Sequence, residues 1–169
     1  MSAVTRPPNR LLQALPSAEY AQLHPLLETV ELTKETALAD AGAPVQRVYF
    51  PHAGVVSMMV NLSDGQSVEI ATIGRDGIVG ASAALHERPP LADAIVVVPG
   101  TASVMRAEDF REAANRSAEF RTLVALYEQA LMAQTQQSVA CNVSHPVEAR
   151  LSRWLLRARD LCGSEALPL

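Results

Sequence analysis

The chain has 169 residues, of which 49% are hydrophobic and 19% are charged, as is typical of one globular domain with an appendage. It contains no run of about 18 apolar residues, and residues 1–9 are polar and proline-rich, so we expect neither a membrane span nor a signal peptide. The net charge of −4 argues against nucleic-acid binding by the chain as a whole. Cys141 and Cys162 form neither a disulfide framework nor a CxxC pair, so we expect a cytoplasmic protein.

Two short helices are predicted first. Leu11, Leu12 and Leu15 recur at helical spacing, and Pro16 ends that run. Ser17 is the expected N-cap of the second helix, because its hydroxyl can accept a hydrogen bond from a free backbone N–H.

The sequence pattern of residues 27–105 is typical of a β domain. Short apolar or alternating runs are separated by turn signals, among them Asp64-Gly65 and Pro99-Gly100. About eight short strands at this spacing predict an antiparallel β-sandwich or jelly roll. With the flanking helices, the predicted fold class is α+β.

Helical patterns return after Met105. Residues 107–115 predict a short amphipathic helix with Phe110 inward. Ser117 can cap a long helix that runs to about Asn142. Pro146 stands at the first turn of a further helix, which Gly163 terminates.

The long helix is unusual because residues 129–147 contain no Asp, Glu, Lys or Arg. Its apolar residues spread over more than one face, so the helix must pack against two different surfaces. One can be the β domain, but a β domain of about 80 residues could hardly cover the helix alone. The simplest second partner is the same helix of another chain, which predicts a homodimer. The predicted interface residues are Leu123, Tyr127, Ala130, Leu131, Gln134, Gln137, Ser138 and Cys141.

Four segments carry a family resemblance: NRLLQALP, VYFPHAGVVSMMVNLSDGQSVEIATIGRDGIVG, VVVPGTASVMRAEDFREA and ACNVSHPVEARLSRWLLRARD. Together they resemble the Crp/Fnr family of bacterial transcription regulators over roughly residues 9–169. The resemblance implies a cyclic-nucleotide-binding-like β roll with flanking helices at residues 9–116, a dimerisation helix at 117–143, and the first helix of a DNA-binding domain at 147–169. The usual recognition helix would lie beyond Leu169, so DNA binding is expected only in a full-length form.

The resemblance also implies a ligand pocket. In cyclic-nucleotide-binding members a glycine turn, a Glu and an Arg–Ser/Thr pair hold the ribose and the cyclic phosphate. The matching positions here are Gly77, Ile78, Val79, Gly80, Ala81, Asp93 and Ala94. Alanine cannot bond a ribose and Asp would repel a phosphate, so cyclic AMP is not the expected ligand. The pocket is then either vestigial or tuned to a different small-molecule effector.

Arg75 and Arg88 lie nearby in sequence and could substitute for the missing arginine, or they are solvated loop residues. Arg150, Arg153, Arg157 and Arg159 form the only basic cluster, which is either a solvated helix face or a surface flanking DNA.

No cofactor, metal or enzymatic activity is expected. Two distant cysteines cannot hold an iron–sulfur cluster, and His24, His52, His86 and His145 are single and scattered, as surface or capping residues are. Neither GxSxG nor a Walker motif occurs. Two alternatives remain: a cupin-like metal-dependent enzyme on the same jelly roll, and a truncated partner subunit that pairs with full-length relatives but does not bind DNA.

Overall fold

The computed structural model describes residues 6–162. The α-helices within this range are α1 (Arg10–Ala14), α2 (Ser17–Leu23), α3 (Ala81–His86), α4 (Ala107–Arg116), α5 (Ala118–Ser144) and α6 (Val147–Cys162), with a 3₁₀ turn at His24–Leu26 after α2. The strands are β1 (Glu28–Leu32), β2 (Ala37–Ala39), β3 (Arg47–Pro51), β4 (Val55–Asn61), β5 (Ser67–Ile73), β6 (Asp93–Val98) and β7 (Gly100–Arg106). No helix in this range is both long and apolar enough to cross a membrane.

The strands form two antiparallel sheets, one with the order β1-β7-β3 and one with the order β2-β6-β4-β5. This arrangement confirms the predicted jelly roll and α+β class. About eight strands were expected, and the described residues form seven. The region that follows β5 forms one isolated bridge between Tyr49 and Val79 and then turns into α3. Gly80 makes that turn with a φ of +84°, a conformation that favours glycine.

The turns follow the sequence signals. Gly65, with a φ of +86°, closes the hairpin between β4 and β5. Gly100 stands where the chain passes from β6 in one sheet to β7 in the other. A Cβ there would collide with the carbonyl oxygen of Ala53, so only glycine fits.

The helices cover one end of the roll around an aromatic cluster. The Phe110 ring lies 6.2 Å from Phe50 and 5.3 Å from Phe120, and all three side chains are fully buried. Phe110 therefore points inward, as predicted. Ser117 also caps α5 as predicted, because its Oγ accepts a hydrogen bond of 3.0 Å from the Phe120 N–H. The cap position of α2, in contrast, is held by Pro16, and Ser17 is the first residue of the helix.

Asn9 fixes the N-terminal helices to the roll. Its Oδ1 accepts from the N–H groups of Leu11 and Leu12, which caps α1. Its Nδ2 donates to the carbonyl oxygens of Pro51 and Gly77, both at 3.0 Å. One buried amide thus ties α1 to two loops of the β domain.

Candidate functional site

A large cavity lies between the four-stranded sheet, α3 and α5. Its volume is about 850 Å³, within the range of small-molecule sites. Most of its wall is aliphatic. The lining residues are Ala39, Met58, Val60, Ile70, Ile73, Ile78, Val79, Gly80, Ala81, Ser82, Ala83, His86, Arg88, Pro89, Pro90, Leu91, Ala92, Ala94, Tyr127, Glu128, Leu131, Met132 and Thr135.

Five of the seven predicted pocket residues line this cavity: Ile78, Val79, Gly80, Ala81 and Ala94. Asp93 does not line it. Its Oδ1 accepts a 2.7 Å hydrogen bond from the Ala41 N–H, and its Oδ2 accepts one of 2.6 Å from Asn61 Nδ2. At the start of β6, Asp93 therefore joins the segment that follows β2 to the end of β4.

Gly77 also lies outside the cavity wall, and packing explains it. A Cβ on Gly77 would stand 2.7 Å from Ile73 Cγ2 and 2.9 Å from Tyr127 Cε2. The Tyr127 hydroxyl passes this glycine and donates a 2.8 Å hydrogen bond to the carbonyl oxygen of Ile78. Burial raises the pKa of Tyr127 far above its ordinary value, so the phenol stays protonated. Gly77 is needed so that α5 can approach the roll.

Polar groups on the cavity wall are few. Ser82, His86 and Arg88 are exposed to solvent, and Glu128 is half-buried. The Thr135 hydroxyl is used within α5, where it donates to the Leu131 carbonyl at 3.0 Å. Of the two arginines considered from the sequence, Arg88 lines the cavity and Arg75 does not.

The comparison with protein families decides the class of this domain. The cyclic nucleotide-binding domain model matches residues 29–117, which is more than half of the chain. The chain belongs to the cyclic nucleotide-binding domain family. No curated protein matches the sequence.

Several solved structures share this fold. The N-terminal domain of a transcriptional regulator from Streptomyces coelicolor A3(2) is 22% identical, with a TM-score of 0.55 over 82% of this chain and 95% of that one. The c-di-GMP responsive regulator CLP of Xanthomonas campestris gives a TM-score of 0.69 at 12% identity, over 90% of this chain and 77% of that one. The Thermus thermophilus catabolite activator protein gives 0.58 at 20% identity, over 79% of this chain and 61% of that one. At these identities the likeness shows the fold.

The long helix α5, which follows the matched residues, places its predicted interface residues in two environments. Ala130 and Gln137 are exposed, whereas Leu123 is half-buried against the core of its own chain. The others also contact their own chain: Tyr127 through Ile78, Leu131 in both hydrophobic clusters, Gln134 through the Thr72 N–H at 2.8 Å, Ser138 through Arg153 Nη1 at 3.4 Å, and Cys141 as a buried thiol. A pairing through these residues stays a prediction.

The exposed apolar residues of α5 are different ones. Leu126, Val139 and Val143 expose between 57% and 85% of their surface, and we call them the outer face of α5. Met132 is also 59% exposed, but it lines the cavity. Spacing alone did not separate this face from the inner one, because apolar residues occupy both.

The final helix α6 folds back on the β roll, which the sequence did not predict. Ala158 and Leu161 are buried in a cluster with Val55 and Val98. Leu161 Cβ comes so close to Gly74 that a Cβ on that glycine would stand 2.7 Å away.

Two polar contacts hold α6 against β5 and the segment that follows it. Arg157 Nη1 and Nη2 donate to Asp76 at 2.6 and 3.2 Å, and both side chains are about two-thirds buried or more. Trp154 Nε1 donates to Glu69 Oε2 at 3.3 Å. Arg157, one of the four arginines of the predicted basic cluster, therefore holds α6 against the β roll.

The histidines do not converge. His24, His86 and His145 are exposed, whereas His52 Nε2 lies 2.8 Å from Ser103 Oγ and burial lowers the His52 pKa. Residues 6–162 contain no group of three or more His, Cys, Asp or Glu side chains placed to hold a metal.

Proposed function

We propose that this chain is the effector-sensing and dimerisation region of a Crp/Fnr-type transcription regulator, and that cyclic AMP is not its effector. The observation that carries the proposal is the position of the cavity. One wall belongs to the β roll and the other to α5, so any occupant contacts the same helix whose outer face is free to pair with a second chain. The α6 helix follows directly and is proposed to open the DNA-binding domain.

The pocket residues support a departure from cyclic nucleotides. Ala81 and Ala94 present methyl groups where the family's ligand needs the hydrogen-bonding side chains of a Glu and a Ser or Thr. Asp93, which stands where the family has a cationic Arg, is bonded elsewhere. We expect isothermal titration of the purified chain with cyclic AMP, cyclic GMP and cyclic di-GMP to give no binding heat. Micromolar binding of cyclic AMP would refute this part of the proposal.

The dimer is tested at the outer face of α5. Val139 and Val143 are 57% and 85% exposed in one chain, and pairing would bury them. Replacing either with glutamate would place an unpaired charge in an apolar contact, so we expect the dimer dissociation constant to rise by at least about 100-fold, or roughly 2.7 kcal/mol. Sedimentation velocity measures the change.

The matched control is Leu62→Glu in the β4–β5 turn, where the side chain is 46% exposed and far along the chain from α5. We expect this variant to dimerise like the parent chain. A monomeric parent chain at tens of micromolar would refute dimerisation through α5.

A further inference from the structure

The cavity wall is apolar on three sides. Residues from β4, β5 and α5 contribute long aliphatic side chains, and the short segment before α3 adds two more. The largest contributors are Met58, Val60, Ile70, Ile73, Leu131 and Met132. Water in such a space makes few hydrogen bonds, so replacing it with an apolar group is favourable.

The least exposed ionisable side chain on the cavity wall is acidic. His86 and Arg88 line the cavity with exposed side chains, whereas the carboxylate of Glu128 is half-buried. Glu128 Oε1 is buried and has no hydrogen-bond partner in the part of the chain that the structure describes. A phosphate or carboxylate entering the cavity would meet this like charge in a poorly solvated place.

The buried positions nearest to α3 add no polar anchor, because the polar side chains of α3 on the wall, Ser82 and His86, are exposed. The side chains of Ala81 and Ala94 are buried methyl groups with 3% and 4% exposure. The Tyr127 hydroxyl is already used by Ile78. The wall therefore offers shape and apolar contact but few directed hydrogen bonds.

From these features we infer that the cavity binds an uncharged, predominantly apolar small molecule, with a ring or branched aliphatic body of drug-like size. The inference rests on the proposed function, because it takes this cavity as the effector site. A volume of about 850 Å³ accommodates such a molecule, and its contacts would fall on both the β roll and α5.

The test uses two fluorescent probes of similar size and different charge. N-phenyl-1-naphthylamine is uncharged, and 8-anilinonaphthalene-1-sulfonate is its anionic counterpart. In fluorescence titrations of the whole chain we expect saturable binding of the neutral probe, at least about tenfold tighter than binding of the anionic one. Tighter binding of the anionic probe would overturn the inference.

Two variants assign the binding to the cavity. Val60→Trp places a bulky indole ring in the cavity and should weaken binding of the neutral probe by at least about tenfold. Leu156→Trp is the control, since Leu156 lies on α6, is 55% exposed and does not line the cavity, and it should bind like the parent chain. Equal binding by parent and Val60→Trp, with circular dichroism showing that the variant is folded, would overturn the inference.

The charge argument has its own variant. Glu128→Gln keeps the side-chain shape and removes the negative charge, so the anionic probe should bind several-fold more tightly while the neutral probe changes little. An unchanged ratio of the two affinities would show that Glu128 does not select against anions.

Light scattering on the same samples separates this inference from the proposed function. A dimer that fails to bind the neutral probe refutes the apolar ligand alone. A monomer that binds it keeps the ligand class and refutes dimerisation.

Discussion

The hydrogen bond from the Tyr127 hydroxyl to the Ile78 carbonyl holds α5 against the segment between β5 and α3. A single substitution can remove this hydrogen bond and keep the aromatic ring. Tyr127→Phe deletes the hydroxyl and leaves the ring in place. The Ile78 carbonyl then loses a donor at 2.8 Å in a fully buried setting. Leaving a buried acceptor unsatisfied costs about 1–3 kcal/mol, so we expect the free energy of unfolding to fall by that amount.

Urea denaturation followed by circular dichroism measures the change, at one fixed protein concentration because dimerisation would shift the midpoint. In a thermal scan each kcal/mol should lower Tm by roughly 2–4 °C for a chain of this size. The control is Tyr49→Phe, since Tyr49 is half-buried and its hydroxyl makes no hydrogen bond within residues 6–162. Equal losses in the two variants would refute the importance assigned to the Tyr127 contact.

The same residue predicts a pH dependence. Burial raises the pKa of Tyr127 above its ordinary value of 10.0, so the folded state keeps a proton that the unfolded state releases. The contribution of Tyr127 to stability is therefore complete below pH 10 and is lost as the pH rises further through the folded-state pKa. Between pH 9 and pH 11 the parent chain should lose more stability than Tyr127→Phe. Parallel curves for the two proteins would contradict this assignment.

Three further variants test other contacts. Asp76→Ala and Arg157→Ala, combined in a double-mutant cycle by urea denaturation, should show a coupling of about 1 kcal/mol, and additivity would mean that the ion pair does not hold α6. Asn9→Ala removes a helix cap and two buried donations, so it should cost about 2–3 kcal/mol, whereas the exposed Asn115→Ala should cost less than about 0.5 kcal/mol. Gly77→Ala introduces a methyl group at 2.7 Å from its neighbour and should cost about 1–3 kcal/mol by the same measurement, while a neutral result would show that α5 can shift outward.

The features that repeat along the sequence were predictable. Period-two runs with Asp64-Gly65 between them indicated the antiparallel roll, and the serine before the long apolar stretch indicated the start of α5. The role of the glycine-rich segment after β5 was not predictable in this way, because its three glycines serve close packing and a left-handed turn.

Contacts between distant segments were not predictable in the same way. Asn9 joins residues 42 and 68 positions away, and Arg157 reaches Asp76 across 81 positions. A single Asn before a helix indicates a cap, but nothing local indicates the second pair of hydrogen bonds. The return of α6 to the roll depends on Gly74, whose missing side chain leaves room for Leu161.

The cavity was predictable only in part. The sequence indicated the glycine turn at residues 77–81, but it did not indicate that α5 forms the opposite wall. Tyr127, Leu131 and Thr135 follow one another at four-residue spacing and turn one stripe of α5 toward the cavity. Val139 and Val143 continue the helix beyond that wall with an apolar outer face, and α6 begins three residues after the helix ends. The cavity wall and the proposed pairing surface belong to one helix of about 40 Å, and α6 follows at its end. An occupant that fits one position of α5 better than another would therefore shift both the pairing surface and the start of α6. The apolar wall thus matters for regulation as much as for binding, since it is where the affinity difference between the two positions would have to arise.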